Sequence, residues 1–360
     1  MRRIKTAIIG CGKIGHTHAL ALSTLGESEL VAVCDNQLSR AHGFATQYGG
    51  ARAFDSVPDM LRSLDVEAVT ICTPHPLHEE PCVQAAKAGA HVLIEKPMAS
   101  SLEACDRMLE AAHKHGIKLG IVSQRRLFEP VQRMKAAIDA GKIGTPILGT
   151  FSMFSWRDQA YYESDPWRGK WATEGGGVLV NQSPHQLDML QWIMGEIDEV
   201  SGYWANLNHP YIEVEDTAVA MIRFKSGGLG NVVTSLSQRP GIYTKVHIHG
   251  SNGASVGVQT DTGATFVAGM SGITLPPLND VWTIPGEEKM LAEFEAADRQ
   301  SFQHIDATTY YHRLQIQDFL RSIIDDRPPL VTGEEGRVVV EMFTAIYRSN
   351  ELRRPVRFPL

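Results

Sequence analysis

The sequence predicts an α/β domain followed by an α+β domain, and three observations carry that expectation. Up to about residue 124, short β-rich apolar runs alternate with helical patterns at the cadence of a parallel, doubly wound sheet. Beyond Pro130, long β-patterned runs follow one another without crossover helices, the pattern of a mostly antiparallel open sheet. A glycine-rich turn joins the first strand to the first helix. The change of texture divides the chain into residues 1–125 and 126–360.

In the first part, residues 6–9, 30–34, 68–72, 90–94 and 118–123 read as strands, because β-branched and aliphatic residues crowd together there. Residues 14–25, 38–48, 76–88 and 102–115 read as the intervening helices, closed by Gly26, Gly49, Gly89 and Gly116 where a left-handed cap is wanted. The second part opens with a helix over 131–140, stopped at Gly141, and a strand over 147–155. A Trp-, Tyr- and Gly-rich loop follows, then a helix over 184–194 and strands over 199–207, 217–225, 229–236, 244–249 and 254–259. Ser226-Gly227-Gly228 is a hairpin signal between two of them. Helices return over 310–324 and 336–348.

A chain of 360 residues, 43% hydrophobic and 21% charged, has the profile of a soluble two-domain enzyme. Its net charge of −7 gives no basic face for nucleic acid or an anionic membrane. No run of 18 apolar residues occurs, so no bilayer span is expected. The five cysteines are odd in number and lack CxxC spacing, which favours reduced thiols of a cytoplasmic protein and argues against a metal cluster. No metal is expected.

Gly10-Cys11-Gly12-Lys13-Ile14-Gly15 is a GxGxxG turn, and its context matters more than the pattern. An apolar strand precedes it, a helix pattern follows, and Asp35 ends the next strand 20 residues after Gly15. These glycines permit close backbone approach to a pyrophosphate at a helix N-terminus, while Asp35 would accept hydrogen bonds from the adenosine ribose. The carboxylate repels a 2′-phosphate, so NAD is favoured over NADP; Arg40, a few residues on, keeps NADP admissible.

Thr73-Pro74, followed by Ala90-His91-Val92-Leu93-Ile94-Glu95-Lys96-Pro97, resembles the glucose–fructose oxidoreductase/inositol dehydrogenase/rhizopine catabolism (Gfo/Idh/MocA) family. The segment from Gly175 through Asn181, Gln182, Ser183, Pro184 and His185 to Asp188 is similar to that family's second signature. The resemblance runs from residue 4 to about residue 358. It implies a Rossmann dinucleotide-binding domain, a C-terminal substrate-binding and oligomerisation domain, and a homodimer or homotetramer. It also adds Thr73, Pro74, His78, Glu95, Lys96 and Gln124 to the residues around the cofactor, and gives Lys96 and His185 the catalytic roles.

Both catalytic candidates have a local case as well. Lys96 would emerge at the carboxyl edge of the parallel sheet, and Pro97 biases it away from helix; the resemblance implies a cis Lys–Pro bond. Ser183-x-x-Gln186 reads as a capping box with Pro184 at the first helical position, placing His185 in a first turn whose dipole disfavours imidazolium. Asp188 shares roughly that helix face.

One departure stands out. Many family members carry Asp where this chain has Asn181, and an amide can neither hold charge nor take a proton. Branches resembling this one, with Asn-Gln before the histidine, oxidise a ring hydroxyl at C3 of a glycoside or nucleotide sugar. Arg126, at the junction of the two parts, is a further candidate substrate contact. Trp156, Arg157 and Arg168, with Tyr161, Tyr162, Trp167, Lys170 and Trp171, would form an aromatic and basic saccharide wall. Tyr310, Tyr311 and His312 open a late helix, and His16, His18, His75 and His78 are taken as packing or cofactor-loop residues. The expected function is NAD-dependent oxidation of a secondary ring hydroxyl on a sugar, glycoside or cyclitol, with a small carbohydrate as partner. Two alternatives remain: an NAD-dependent glycoside hydrolase working by transient oxidation and elimination, and a dinucleotide-sensing regulator.

Overall fold

Six short apolar strands and their crossover helices form the first sheet of the computed structural model, which describes residues 2–261, 265–267, 270–272 and 274–360. The elements run β1 (Ile4–Ile9), α1 (Lys13–Thr24), β2 (Ser28–Cys34), α2 (Leu38–Gln47), β3 (Arg52–Phe54), α3 (Val57–Ser63), β4 (Ala68–Ile71), α4 (Glu79–Lys87), β5 (His91–Ile94), α5 (Leu102–His115) and β6 (Leu119–Ile121). Their order is β3-β2-β1-β4-β5-β6, all parallel, so the sheet is Rossmann-like. Its order reverses between β1 and β4, which brings the turns after β1 and β4 to the switch point where such sheets bind ligands. All four residues of β4 are buried, as expected of a strand covered on both faces. Gly49, Gly89 and Gly116 take positive φ at helix ends, while Gly26 does not, because α1 closes on Leu25 in extended conformation.

The second sheet follows α6 (Glu129–Asp139). Its elements are β7 (Pro146–Phe154), α7 (Gln159–Glu163), α8 (Trp171–Glu174), a π-helical turn (Val178–Gln182), α9 (Pro184–Met194), β8 (Ile197–Ala205), β9 (Thr217–Phe224), β10 (Leu229–Ser235), β11 (Tyr243–Gly250), β12 (Ser255–Gln259), a β13 (Thr265–Val267) and β14 (Met270–Gly272) hairpin, β15 (Leu278–Trp282) and α10 (Met290–Phe302). After α11 (Ala307–Ile324) and α12 (Gly333–Leu352), β16 (Val356–Arg357) adds an edge strand. The eight strands run β15-β12-β11-β7-β10-β9-β8-β16, antiparallel except for the β7–β10 pair. Gly149 lets α9 approach this sheet closely, since a Cβ there would lie 2.6 Å from a Leu190 methyl.

The chain divides into two compact units, Met1–Gln124 with Thr308–Arg337 and Arg125–Ala307 with Val338–Leu360. A single cut near residue 125 therefore does not describe it. Ile316, Phe319, Leu320 and Ile323 of α11 join Ile8, Leu22, Val33 and Leu93 in one core cluster. Their apolar area is what draws that late helix back to the first unit.

Candidate functional site

The first unit carries a dinucleotide cradle. Gly10 has φ +101°, and a Cβ there would lie 2.7 Å from the Cys72 carbonyl carbon and 2.8 Å from the Thr73 nitrogen. At Gly15 a Cβ would lie 2.5 Å from the Gly10 carbonyl oxygen. Gly12 is different: nothing stands within 4 Å of a Cβ built there, and no side chain caps the start of α1. Two glycines thus close the turn and the third opens it, with Lys13 and Ile14 in the first helical turn, an arrangement that fits a pyrophosphate.

The Asp35 carboxylate accepts the Cys11 amide at 3.0 Å on Oδ2 and the Gln37 amide at 3.0 Å on Oδ1. Arg40 Nη1 donates to both oxygens, at 3.2 and 3.3 Å. Gln124 is buried, and its Oε1 meets no hydrogen-bond donor among the described residues, so an acceptor is left for a bound group. Thr73 and Pro74 form the half-buried turn after β4.

Lys96 is half-buried at the end of β5 and joined to Pro97 by a cis peptide bond. Its neighbour Glu95, expected at the cofactor, is buried and committed elsewhere. His18 Nε2 meets Glu95 Oε1 at 2.8 Å, His312 Nε2 lies 3.8 Å from the same oxygen, and Glu95 Oε2 accepts the Lys96 amide at 3.2 Å. Burial opposes the charge on Glu95, but hydrogen bonding and charge from His18, with His312 and Lys96 adding to them, hold its pKa at about 2. Burial likewise opposes a proton on His18, yet Cys72 and Glu95 raise its pKa to about 10. His312, near the start of α11, serves this pair.

His78 is also corrected. Its Nε2 lies 2.8 Å from the Thr73 carbonyl oxygen and its Nδ1 3.1 Å from that of Met98, so the ring is packed against the backbone of two loops and its single N–H, when neutral, donates to one of them. Burial lowers its pKa, against the pull of those carbonyls.

In the second unit, α9 begins at Pro184 as the sequence predicts, but the capping box does not form. Ser183 has helical φ and ψ, and its Oγ donates to the Val178 carbonyl at 2.9 Å; Gln186 instead donates to Asp261 at 2.8 Å and Thr260 at 3.1 Å. The chain enters α9 from the π turn, whose amides are taken by Glu215: Gly177 N at 2.8 Å and Leu179 N at 3.0 Å. His185 is therefore not at an open helix start, and the dipole argument for its charge lapses. It is buried, with Nδ1 lacking a partner among the described residues.

Asn181 and Gln182 project from the π turn, half-buried. Asn181 Nδ2 donates to Glu174 Oε1 at 2.5 Å and to the Tyr161 hydroxyl oxygen at 3.1 Å; Gln182 Nε2 donates to the same hydroxyl at 2.8 Å. Arg168 Nη1 makes a third donor at 2.5 Å, with its guanidinium 4.3 Å from the Tyr161 ring centroid. Glu174 and Tyr161 thus orient the amides before the histidine.

Arg126 and Asp188, expected as substrate contacts, are given to each other. Arg126 Nε and Nη2 donate to Asp188 at 2.7 and 2.6 Å, both residues are almost fully buried, and the guanidinium lies 4.7 Å from the Trp192 ring. Asp188 and Trp192, one turn apart on α9, hold the arginine between them. Within the expected saccharide wall, Tyr161 and Tyr162 form a buried cluster with Ile212 and Val214. Trp171 joins Trp204 and Tyr347. Trp156 remains half-buried, and the buried Arg157 donates to the Trp156 carbonyl at 2.8 Å. His209 bridges Asp216 at 2.7 Å and the Arg157 carbonyl at 2.8 Å, fixing that backbone. Sequence reasoning missed Glu174, Glu215, Asp216 and Asp261; each is a carboxylate recruited from elsewhere in the second unit, with no local motif to mark it.

Two family models match the chain: an oxidoreductase family with an NAD-binding Rossmann fold over residues 4–122, and the GFO/IDH/MocA C-terminal domain over residues 131–256. Among relatives, the myo-inositol 2-dehydrogenase of Thermotoga maritima is 25% identical across 98% of this chain and 98% of its own. The D-glucoside 3-dehydrogenase of Escherichia coli is 25% identical across 97% of this chain and 95% of its own. Among solved structures, the WlbA dehydrogenase from Bordetella pertussis, in complex with NADH and UDP-GlcNAcA, matches with a TM-score of 0.82 at 30% identity, covering 100% of both chains.

Proposed function

The chain belongs to the Gfo/Idh/MocA oxidoreductase family and has that family's NAD-binding Rossmann domain, and on this premise we propose that it oxidises a secondary ring hydroxyl of a sugar, glycoside or cyclitol. The observation that carries the reading is the Asn181–Gln182 pair, held by Glu174 and Tyr161 just ahead of His185, in a chain that also keeps Lys96 beyond a strand end. The Asn-Gln pair favours C3, and D-glucoside 3-dehydrogenase is among the full-length relatives.

NAD, when bound, supplies the hydride acceptor. In this reading Lys96 hydrogen-bonds the reacting oxygen, His185 exchanges its proton, and Asn181 orients the sugar ring. Trp156, Arg157 and Arg168 contribute to sugar binding. The unit of residues 1–124 with 308–337 is the cofactor domain, and the unit of residues 125–307 with 338–360 binds substrate and mediates self-association in a homo-oligomer. The support for self-association is one face of the second sheet, where Tyr203, Val219, Met221 and Leu229 are exposed together. Among the described residues no helix is long and apolar enough to cross a membrane. The five buried free thiols support a cytoplasmic location.

A screen of NADH formation against glycosides, free sugars, nucleotide sugars and inositols tests the proposal. NADH release with one ring-hydroxyl class is expected. Glycoside cleavage without net NADH would move the assignment to the hydrolase, and binding of NAD with no turnover of any polyol would move it to the sensor.

A further inference from the structure

Three successive amides at the start of the π turn donate to a single residue. Gly177 N reaches Glu215 Oε2 at 2.8 Å, Val178 N the Glu215 carbonyl oxygen at 3.1 Å, and Leu179 N Glu215 Oε1 at 3.0 Å. Such a run of converging N–H groups is an anion cradle, and here the chain fills it with its own carboxylate. From α12 the Tyr347 hydroxyl donates to Oε1 at 2.9 Å, and Glu215 is fully buried. The packing is close: a Cβ at Gly177 would run into the Glu215 carbonyl oxygen, and one at Gly176 into the Tyr347 hydroxyl. The turn passes this anchoring on. Its Gly177 carbonyl accepts the Asn181 amide at 2.9 Å, and its Val178 carbonyl accepts the Ser183 amide at 3.0 Å. The main chain that carries Asn181 and Gln182 is thus pinned through Glu215, while Tyr161 and Glu174 hold the ends of their side chains.

We propose that Glu215 is a positioning residue for sugar binding: it sets the backbone of the π turn so that the Asn181 and Gln182 amides stand where the ring hydroxyls meet them, and Tyr347 steadies its carboxylate. This role rests on the oxidation reading, in which Asn181 orients the sugar. A carboxylate is costly to bury, and an apolar side chain would fill the same space at less cost, so its worth lies in what it holds. Gly177, Leu179 and Tyr347 all donate to its two oxygens. A glutamine there, with one acceptor and one donor end, leaves at least one of them without a partner. The slackened segment carries the groups that bind the sugar, whereas His185 stands beyond it in α9, whose own hydrogen bonds keep it in place. Loss of the carboxylate therefore falls on sugar binding more than on turnover.

The test pairs two measurements on the unaltered protein, Glu215→Gln and Tyr347→Phe. Hydrogen exchange over residues 175–183 reads the turn itself; steady-state kinetics on the sugar found in the screen, with NADH titration alongside, read its consequence. Glu215→Gln is expected to speed exchange in that segment about tenfold, the scale of one lost hydrogen bond to a charged group. It should raise KM for the sugar about tenfold while kcat changes less than about threefold, with NADH affinity unchanged. Tyr347→Phe leaves both carboxylate–amide bonds in place and should shift KM in the same direction by a smaller factor. A lower Tm with unchanged KM would make Glu215 a structural residue only and overturn the proposal, as would unchanged exchange over 175–183. Equal losses of sugar and NADH affinity would overturn it too, as general loosening of the fold. If the unaltered protein turns over no polyol, the oxidation reading falls and takes this role with it; turnover that Glu215→Gln leaves intact strikes the positioning role alone.

Discussion

His18 Nε2 and Glu95 Oε1 lie 2.8 Å apart in the core of the first unit, joining the helix after the phosphate turn to the strand that ends in Lys96. Neither is solvated, so the pair must stay paired. Replacing one member leaves an uncompensated buried charge, at a cost of about 3–5 kcal/mol, while an apolar swap of both costs less. Glu95→Gln is therefore expected to destabilise the protein more than the double variant His18→Leu, Glu95→Leu. Urea unfolding of the two variants checks this, and a double variant as unstable as Glu95→Gln would remove the ion pair as the cause.

Lys96→Ala and His185→Ala are each expected to lower kcat by about 10²–10⁴-fold. NADH affinity should survive in both. Groups on one proton path lose less together than the product of their single losses, so the double variant should fall short of it. Steady-state kinetics on the sugar found in the screen decide the matter; a near-native kcat for His185→Ala would take that residue out of the reaction.

Tyr161→Phe removes one oxygen that three N–H donors share. Unsatisfied buried donors cost about 1–3 kcal/mol. A lower Tm is expected, with KM for the sugar rising more than kcat falls, because the amides of Asn181 and Gln182 lose their orientation. An unchanged KM would mean that Tyr161 is only packing.

Glu215 supplies a pH signature. Burial raises its pKa from the ordinary 4.5 to about 7, against the amides of Leu179 and Gly177 and the Tyr347 hydroxyl that favour the charged form. The folded protein thus holds a proton that the unfolded chain releases, so this contribution to stability is whole below 4.5 and is lost as pH rises through 7. Tm should decline by a few degrees across that window, at roughly 2–4 °C per kcal/mol. Calorimetry of Glu215→Gln should show a flatter profile; the same slope as native would assign the effect to other groups.

Self-association should depend on the open sheet face. Tyr203 pairs across from Val219, and Met221 lies two residues further along the same strand, so the three share one side. Tyr203→Lys with Met221→Lys should lower the mass measured by light scattering to that of one chain while the fold is kept.

How much of this was readable from residues alone depended on the range of the interactions. Helix α9 runs over the predicted residues 184–194 because Pro184 and its apolar spacing are local signals. Gly116 caps α5 for the same reason. Ser183 misled, since the amides ahead of it are satisfied by Glu215, a residue the chain reaches only after α9 and β8. Arg126 and Asp188 were each legible as functional-looking charges, but their mutual pairing spans 62 residues and no periodicity records it. Helix α3 was overlooked although Ser56 caps it at the Asp59 amide, because seven residues give too short a pattern.

The five cysteines, all in the first unit, are all buried and unbonded. Burial pushes the thiols of Cys11, Cys34, Cys82 and Cys105 up to about 12. Thiolate is the form that reacts, and Cys72 is shielded by its own burial, so the folded chain is a nearly silent background for alkylating dyes. A cysteine introduced at an exposed site in the second unit could be labelled alone, without stripping the native ones. Conversely, the rate at which a thiol reagent consumes the native five becomes a clock for the opening of the nucleotide-binding unit, read independently of whatever the other unit does.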